Sequence, residues 1–179
     1  QHLLKEAEEP LIRKLIPMLQ QMHEQEASNL LIGLTLNSSD PIRKAAINAL
    51  VTRDPQNLRR LFPLIEDPIL SIRNLILDHL RKRRTPLAEE LLLDYLEHKR
   101  CRLKDRQHIL ACYRALGKCA SRRSLPFLRE SLLKQDWKAF LGIGDFLHRQ
   151  GAALALLGMQ HEEVAQAALN KAAGSVFLS

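Results

Sequence analysis

Aromatic residues are scarce in this chain of 179 residues, where they occupy 4% of positions. Only three cysteines occur, too few for the disulfide framework of a small secreted domain, so we expect a reducing, cytoplasmic location. No apolar run approaches the ~20 residues that a membrane-spanning helix needs. No stretch alternates apolar and polar residues as a half-buried β-strand does. What remains is a core of Leu, Ile and Ala, the composition typical of packed helices.

A short helical pattern recurs four times along the chain. Each copy begins at an arginine and has small or apolar residues three, six and seven positions later, and these positions share one face of an α-helix. The second copy departs from the pattern only at His79. The origins are 30, 33 and 43 residues apart, and a helical unit recurring at such a period predicts an α-solenoid. The four copies are Arg43 with Ala46, Ala49 and Leu50; Arg73 with Ile76, His79 and Leu80; Arg106 with Ile109, Cys112 and Tyr113; and Arg149 with Ala152, Ala155 and Leu156.

Capping and proline signals give the predicted helix boundaries. Ser or Asp followed by proline is typical of a helix start, and glycine is typical of a helix end. One helix is therefore expected to end at Gly117 or just after it, and Gly174 is interpreted as following the end of another. Pro63 and Pro126 are interpreted as lying inside helices. The predicted helices are one or two within 1–22, then 26–36, 41–52, one around 58–65, 69–83, 86–97, 103–118, 121–134, 147–157 and 161–173.

These motifs resemble the HEAT repeat family, in particular the bacterial type related to phycobilin-lyase repeats. The residues that carry the resemblance are Asp40-Pro41-Ile42-Arg43 with the stripe after it, Asp67-Pro68 with Ile72-Arg73, Asp105-Arg106 with Ala115-Leu116-Gly117, and Arg149 with Ala152, Ala155, Leu156 and Gly158. The resemblance implies an all-α fold, a right-handed α-solenoid of helical hairpins. It also implies that the acidic and arginine residues of each unit bond between repeats, which assigns a structural role to Asp40, Arg43, Asp67, Arg73, Asp105, Arg106 and Arg149.

The solenoid is expected to span residues 26–174. Residues 1–25 are interpreted as the end of a preceding repeat and 175–179 as the start of a truncated next one, so we expect both ends to be cuts through a longer bacterial protein. An insertion at 137–146 lengthens the last interval and holds the single tryptophan. We expect Trp137, Phe140 and Phe146 to pack against neighbouring helices, with partner contact by this loop as the alternative.

Positive charge is concentrated in the middle of the chain. Residues 81–123 carry 13 Lys and Arg against 5 Asp and Glu, whereas the rest of the chain carries 14 against 15. Such a local excess favours a binding surface for phosphates or an acidic protein; cations that complement helix dipoles are the simpler alternative. The candidate partner-binding residues are Arg81, Lys82, Arg83, Arg84, Lys118, Arg122 and Arg123, together with Trp137 and Phe140 in the insertion.

No catalytic or cofactor motif stands out. His98, Cys101, His108, Cys112 and Cys119 cluster in sequence, but their spacing differs from that of zinc sites, so we expect no metal and no cofactor. The predicted function is therefore a non-catalytic protein-interaction scaffold that binds an acidic or phosphorylated partner through the basic edge and a concave face. Two alternatives stay open: nucleic-acid binding through the basic strip, for which aromatic stacking partners are few, and a HEAT-like lyase or DNA glycosylase.

Overall fold

The computed structural model describes residues 9–97, 105–133, 146–159 and 162–176. Within these ranges every regular element is a helix, so the predicted all-α class is confirmed. In the same ranges no helix is both long enough and apolar enough to cross a membrane. The α-helices are α1 (Glu9–Gln21), α2 (Gln25–Leu34), α3 (Asp40–Arg53), α4 (Asn57–Leu61), α5 (Leu70–Arg83), α6 (Pro86–Glu97), α7 (Arg106–Cys119), α8 (Leu125–Leu133), α9 (Leu147–Gly158) and α10 (Glu163–Val176).

Prolines and glycines account for most differences from the predicted boundaries. At Pro63 the α-helical path gives way to a 3₁₀ turn, Phe62–Glu66, because proline has no N–H to donate. The single helix predicted from Ser121 was wrong: a 3₁₀ turn, Arg122–Ser124, comes first, and Pro126 lies in the first turn of α8, where its missing N–H costs nothing. The α7 helix ends at Cys119, two residues after Gly117, which agrees with the expected end just after this glycine, whereas Gly174 lies inside α10, so its assignment to a helix end was wrong.

The chain forms two compact units, one up to His79 and one from Leu80, with the boundary inside α5. In the first unit α3 packs against α1 and α2. Near the start of α3 the Arg43 guanidinium binds Asp67, just before α5, and further along Asn48 Oδ1 lies 2.8 Å from His79 Nε2. The second contact lies further along both helices than the first, so α3 and α5 run parallel. The α4 helix and the 3₁₀ turn after it connect them.

The second unit has the same arrangement in α7, α8 and α9. Tyr113 stacks on Phe127 of α8 and its hydroxyl lies 3.0 Å from His148 Nδ1 of α9. Gly117 contacts the backbone of Ala155, further along both helices. The two helices are therefore parallel. α7 also packs against α6, and α8 packs chiefly against α9.

The recurring stripe forms the core of both units. Eleven of its twelve residues are buried, which confirms that the spacing identified the inward faces of α3, α5, α7 and α9. His79, the one polar residue of the stripe, is also the one stripe residue that is not buried. It is half-buried and makes the hydrogen bond to Asn48 in place of apolar packing.

Candidate partner-binding edge

A buried glutamate joins the start of α6 to the turn that follows α7. Glu89 is 4% exposed and accepts three hydrogen bonds at Oε1: from the Ser121 amide at 2.8 Å, the Ser121 hydroxyl at 3.0 Å and the Ser124 hydroxyl at 2.6 Å. Ser124 is itself fully buried. This arrangement satisfies an otherwise costly buried carboxylate, and it fixes the position of residues 121–124 against α6.

The environment of Glu89 favours its charged form. Burial raises the pKa of this carboxyl, but hydrogen bonds from Ser124 and Ser121 and the positive charge of Arg123 outweigh burial, so the pKa lies below its ordinary value of 4.5. The same carboxylate acts on Cys119, where burial together with the nearby negative charge raises the thiol pKa to about 12. Cys119 is therefore a neutral, packed thiol with little nucleophilic character.

The first group of cations lies at the end of α5. Arg81, Lys82 and Arg83 occupy its last turn, and all but Arg83 are exposed. Arg84 follows with φ of 47°, and its amide bonds the Leu80 carbonyl at 3.4 Å. A left-handed residue of this kind ends a helix, a position that usually favours glycine. Only Thr85 then separates it from α6.

The second group of cations lies on the turn between α7 and α8. Lys118 is in the last turn of α7, and Arg122 and Arg123 belong to the 3₁₀ turn; all three are exposed. Arg122 Nε lies 3.4 Å from Glu162 Oε2, but the arginine side chain is 86% exposed, so this ion pair is weak and easily exchanged.

Glu89 brings the two groups of cations to one edge of the second unit. It lies in the first turn of α6, shortly after Arg84, and its partners Ser121 and Ser124 flank Arg122 and Arg123. We call this surface the cationic edge; it consists of Arg81, Lys82, Arg83, Arg84, Lys118, Arg122 and Arg123. The other two candidates, Trp137 and Phe140, lie outside the described residues. Phe146, expected to be packed, is 45% exposed.

The arginines that open the repeats differ in environment. Arg43 and Arg73 are buried and both bond Asp67, the former through its carboxylate and the latter through its carbonyl oxygen at 2.9 Å. Arg106 is exposed and donates to Gln150 Oε1 on α9 at 2.8 Å. Arg149 is half-buried.

Asp40 and Asp105 lie at helix starts. Asp40 is the first residue of α3. Asp105 caps its own helix by accepting from the amides of Gln107 and His108.

The cysteine and histidine cluster is a packing feature where it is described. His108 is buried, with Nε2 3.5 Å from the Tyr95 hydroxyl and 3.6 Å from Cys112 Sγ. His98 and Cys101 lie outside the described residues. Among the residues that are described, no three His, Cys, Asp or Glu side chains stand close enough to hold a metal ion.

No family model matches this chain. No curated protein is significantly similar to it either. What the chain does must therefore be inferred from its own residues and their geometry.

Sequence reasoning identified the cations of the edge but missed the buried carboxylate that organises them. An acidic residue in the first turn of a helix is usually interpreted as a surface charge that complements the helix dipole. The one indication in the sequence is that Ser121 and Ser124 flank an Arg-Arg pair. The sequence does not show which residue accepts hydrogen bonds from their hydroxyls.

Glu89 should give the protein an acid-sensitive contribution to stability. Because its folded pKa is lowered, the stabilisation is present above about pH 4.5 and is lost as pH falls through the folded pKa. We expect Glu89→Gln to lower the free energy of unfolding at pH 7 and to flatten its decline between pH 6 and pH 3, as measured by urea unfolding. Glu97→Gln, an exposed change on the same helix, should leave that decline as in the wild type. Parallel pH profiles for wild type and Glu89→Gln would contradict the assignment.

Proposed function

We propose that this chain is a non-catalytic protein-interaction module that binds an acidic or phosphorylated segment of a partner protein through the cationic edge. The observation that carries this proposal is the Glu89, Ser121 and Ser124 cluster, which joins the segment after α5 to the turn after α7, the two places where the cations lie. Six of the seven cations are exposed. Glu89 is 4% exposed and its carboxylate is turned inward to its own hydrogen bonds, and the ion pair of Arg122 with Glu162 is largely exposed to solvent, so the edge keeps an outward positive potential. Five of the seven cations are arginines, whose planar guanidinium suits bidentate binding of phosphate or carboxylate.

We further propose that the parallel helices α3 and α5, and separately α7 and α9, are successive equivalent helices of a right-handed HEAT-type α-solenoid. The buried stripe, the recurring arginines and the helix that connects each parallel pair support this proposal. In such arrays the second helices of the hairpins line a concave face, which adds contact area beside a charged edge. Tyr95 and Tyr113 are buried, so neither is available to stack on a base, and this favours a protein partner over single-stranded nucleic acid.

The proposal is tested by anisotropy titration of a fluorescein-labelled peptide that carries three phosphoserines, with a 20-base-pair DNA duplex as the competing probe. Reversing three exposed charges of the edge, Lys82→Glu, Lys118→Glu and Arg122→Glu, should weaken peptide binding about tenfold or more, since three lost contacts of about 0.5–1 kcal/mol each exceed the ~1.4 kcal/mol that a tenfold change requires. The matched control reverses three exposed charges elsewhere: Lys14→Glu, Arg129→Glu and Lys171→Glu. Equal weakening by both triple variants, or tighter binding of the duplex than of the peptide, would contradict a specific protein-binding edge.

A further inference from the structure

The second unit has an apolar groove away from the cationic edge. It lies between α8, α9 and α10 and has a volume of about 350 Å³. Its lining combines large apolar side chains with alanines from two helices, and it has one cation and one amide. The lining residues are Leu132, Phe146, Arg149, Gln150, Ala153, Leu169, Ala172 and Ala173.

The composition of the groove restricts what can occupy it. Ala153 and Ala173 are small, so a partner backbone can approach closely along this side, as it does where helices pack through small residues. Phe146, 45% exposed, and Leu169 offer apolar contact to inserted side chains. The volume is at the lower end of the ~300–1,000 Å³ range of binding pockets, which suits the anchor residues of one helix.

The rim of the groove is positively charged. Arg149 lines it directly, and Gln150, also in the lining, accepts a hydrogen bond from the exposed Arg106 guanidinium at 2.8 Å. Two guanidinium groups therefore stand at the border of an apolar surface. An occupant whose apolar face is bordered by carboxylates would pair with both features at once.

We propose that this groove docks an acidic amphipathic α-helix of a partner protein, with apolar anchors at helical spacing over the alanines and with Glu or Asp beside Arg149 and Arg106. This is the helix-in-groove mode of recognition. The site is separate from the cationic edge and does not depend on the function proposed for that edge.

The test uses an 18-residue fluorescein-labelled helix with leucines at i, i+4, i+7 and i+11 and glutamates along their border. We expect the wild-type chain to bind this probe, and a version with lysines for glutamates at least about fivefold more weakly. Ala173→Trp, which fills the groove, should weaken binding at least about tenfold. Ala167→Trp, an exposed change elsewhere on the same helix, should alter it less than about twofold. Circular dichroism checks that both variants are folded.

Three outcomes would overturn the proposal. The first is absence of binding at about 100 μM probe, an affinity weaker than about −5.5 kcal/mol. The second is equal binding of a peptide with the same composition and scrambled leucines. The third is concentration-dependent dimerisation in analytical ultracentrifugation that Ala173→Trp abolishes, since a second copy of the chain would then occupy the groove.

Discussion

Replacing Asp67 by alanine is expected to lower the free energy of unfolding by about 3–5 kcal/mol, the usual cost of leaving a buried charge without its partner. The Asp67 carboxylate binds both terminal nitrogens of Arg43, and the two side chains are only 5% and 9% exposed. Asp67 Oδ1 also accepts from the Ile69 amide at 2.9 Å, and Arg43 Nε donates to the Thr35 carbonyl at 2.8 Å. One ion pair therefore connects the turn after α2, the start of α3 and the turn before α5. Equilibrium urea unfolding measures the effect.

Two further variants distinguish the cost of an unpaired buried charge from the cost of lost packing. Asp54→Ala, an exposed aspartate in the same unit whose carboxylate accepts from the Gln56 amide at 2.9 Å, should cost about 1 kcal/mol. The double variant Arg43→Met with Asp67→Leu removes both charges and should recover most of the loss, because apolar residues of similar size often replace a buried ion pair without penalty. If Asp67→Ala cost no more than Asp54→Ala, the pair would not be the buried connection that the structure shows.

Gly117→Ala is expected to destabilise the chain by about 1–3 kcal/mol, even though alanine is the better helix former by up to about 1 kcal/mol. A Cβ at position 117 would lie 2.5 Å from the Ala155 carbonyl oxygen and 2.8 Å from its Cα. A Cβ on Gly158 would in turn lie 2.7 Å from the Gly117 carbonyl oxygen. The backbones of α7 and α9 are thus in direct contact, and a single methyl group must push them apart. Thermal and urea unfolding report the loss.

Gly33→Ala supplies the matched control for this glycine. Gly33 also lies in a helix, but a Cβ there would have no neighbour within 4 Å. We expect it to stabilise the chain by up to about 1 kcal/mol through helix propensity alone. Opposite signs for the two glycines would establish the close contact between helices. Stabilisation by both would mean that α7 and α9 are not packed as described.

The periodic pattern was sufficient to predict α3, α5, α7 and α9 and their inward faces. Helical spacing depends only on backbone geometry and burial, so Ala46, Ile76, Cys112 and Ala155 could be assigned to the core before any contact was known. The roles of the glycines could not be predicted in this way. Gly117 was interpreted only as a helix end at that residue or just after it. Its packing role was missed, because the backbone that requires a small residue there, at Ala155, belongs to a distant part of the chain.

The candidate edge was predicted only in part. A local excess of Lys and Arg is visible in composition, but the start of α6, just after Arg84, is joined to the turn that carries Arg122 by the bonding of Glu89 to Ser121 and Ser124, residues more than thirty positions away. No short sequence pattern predicts that a glutamate in the first turn of a helix will bond two serines far away in the chain. The groove between α8, α9 and α10 was missed for the same reason, since its alanines belong to separate helices.

Hydrogen exchange with mass spectrometry tests the binding role of the cationic edge most directly. Exchange is compared for the chain alone and with a saturating peptide that carries three phosphoserines. We expect the peptide to slow exchange around residues 81–85 and 118–124, at the two turns that carry the cations. Protection confined to other segments, or no protection at a concentration where anisotropy shows binding, would contradict the assignment of this edge as the partner-binding surface.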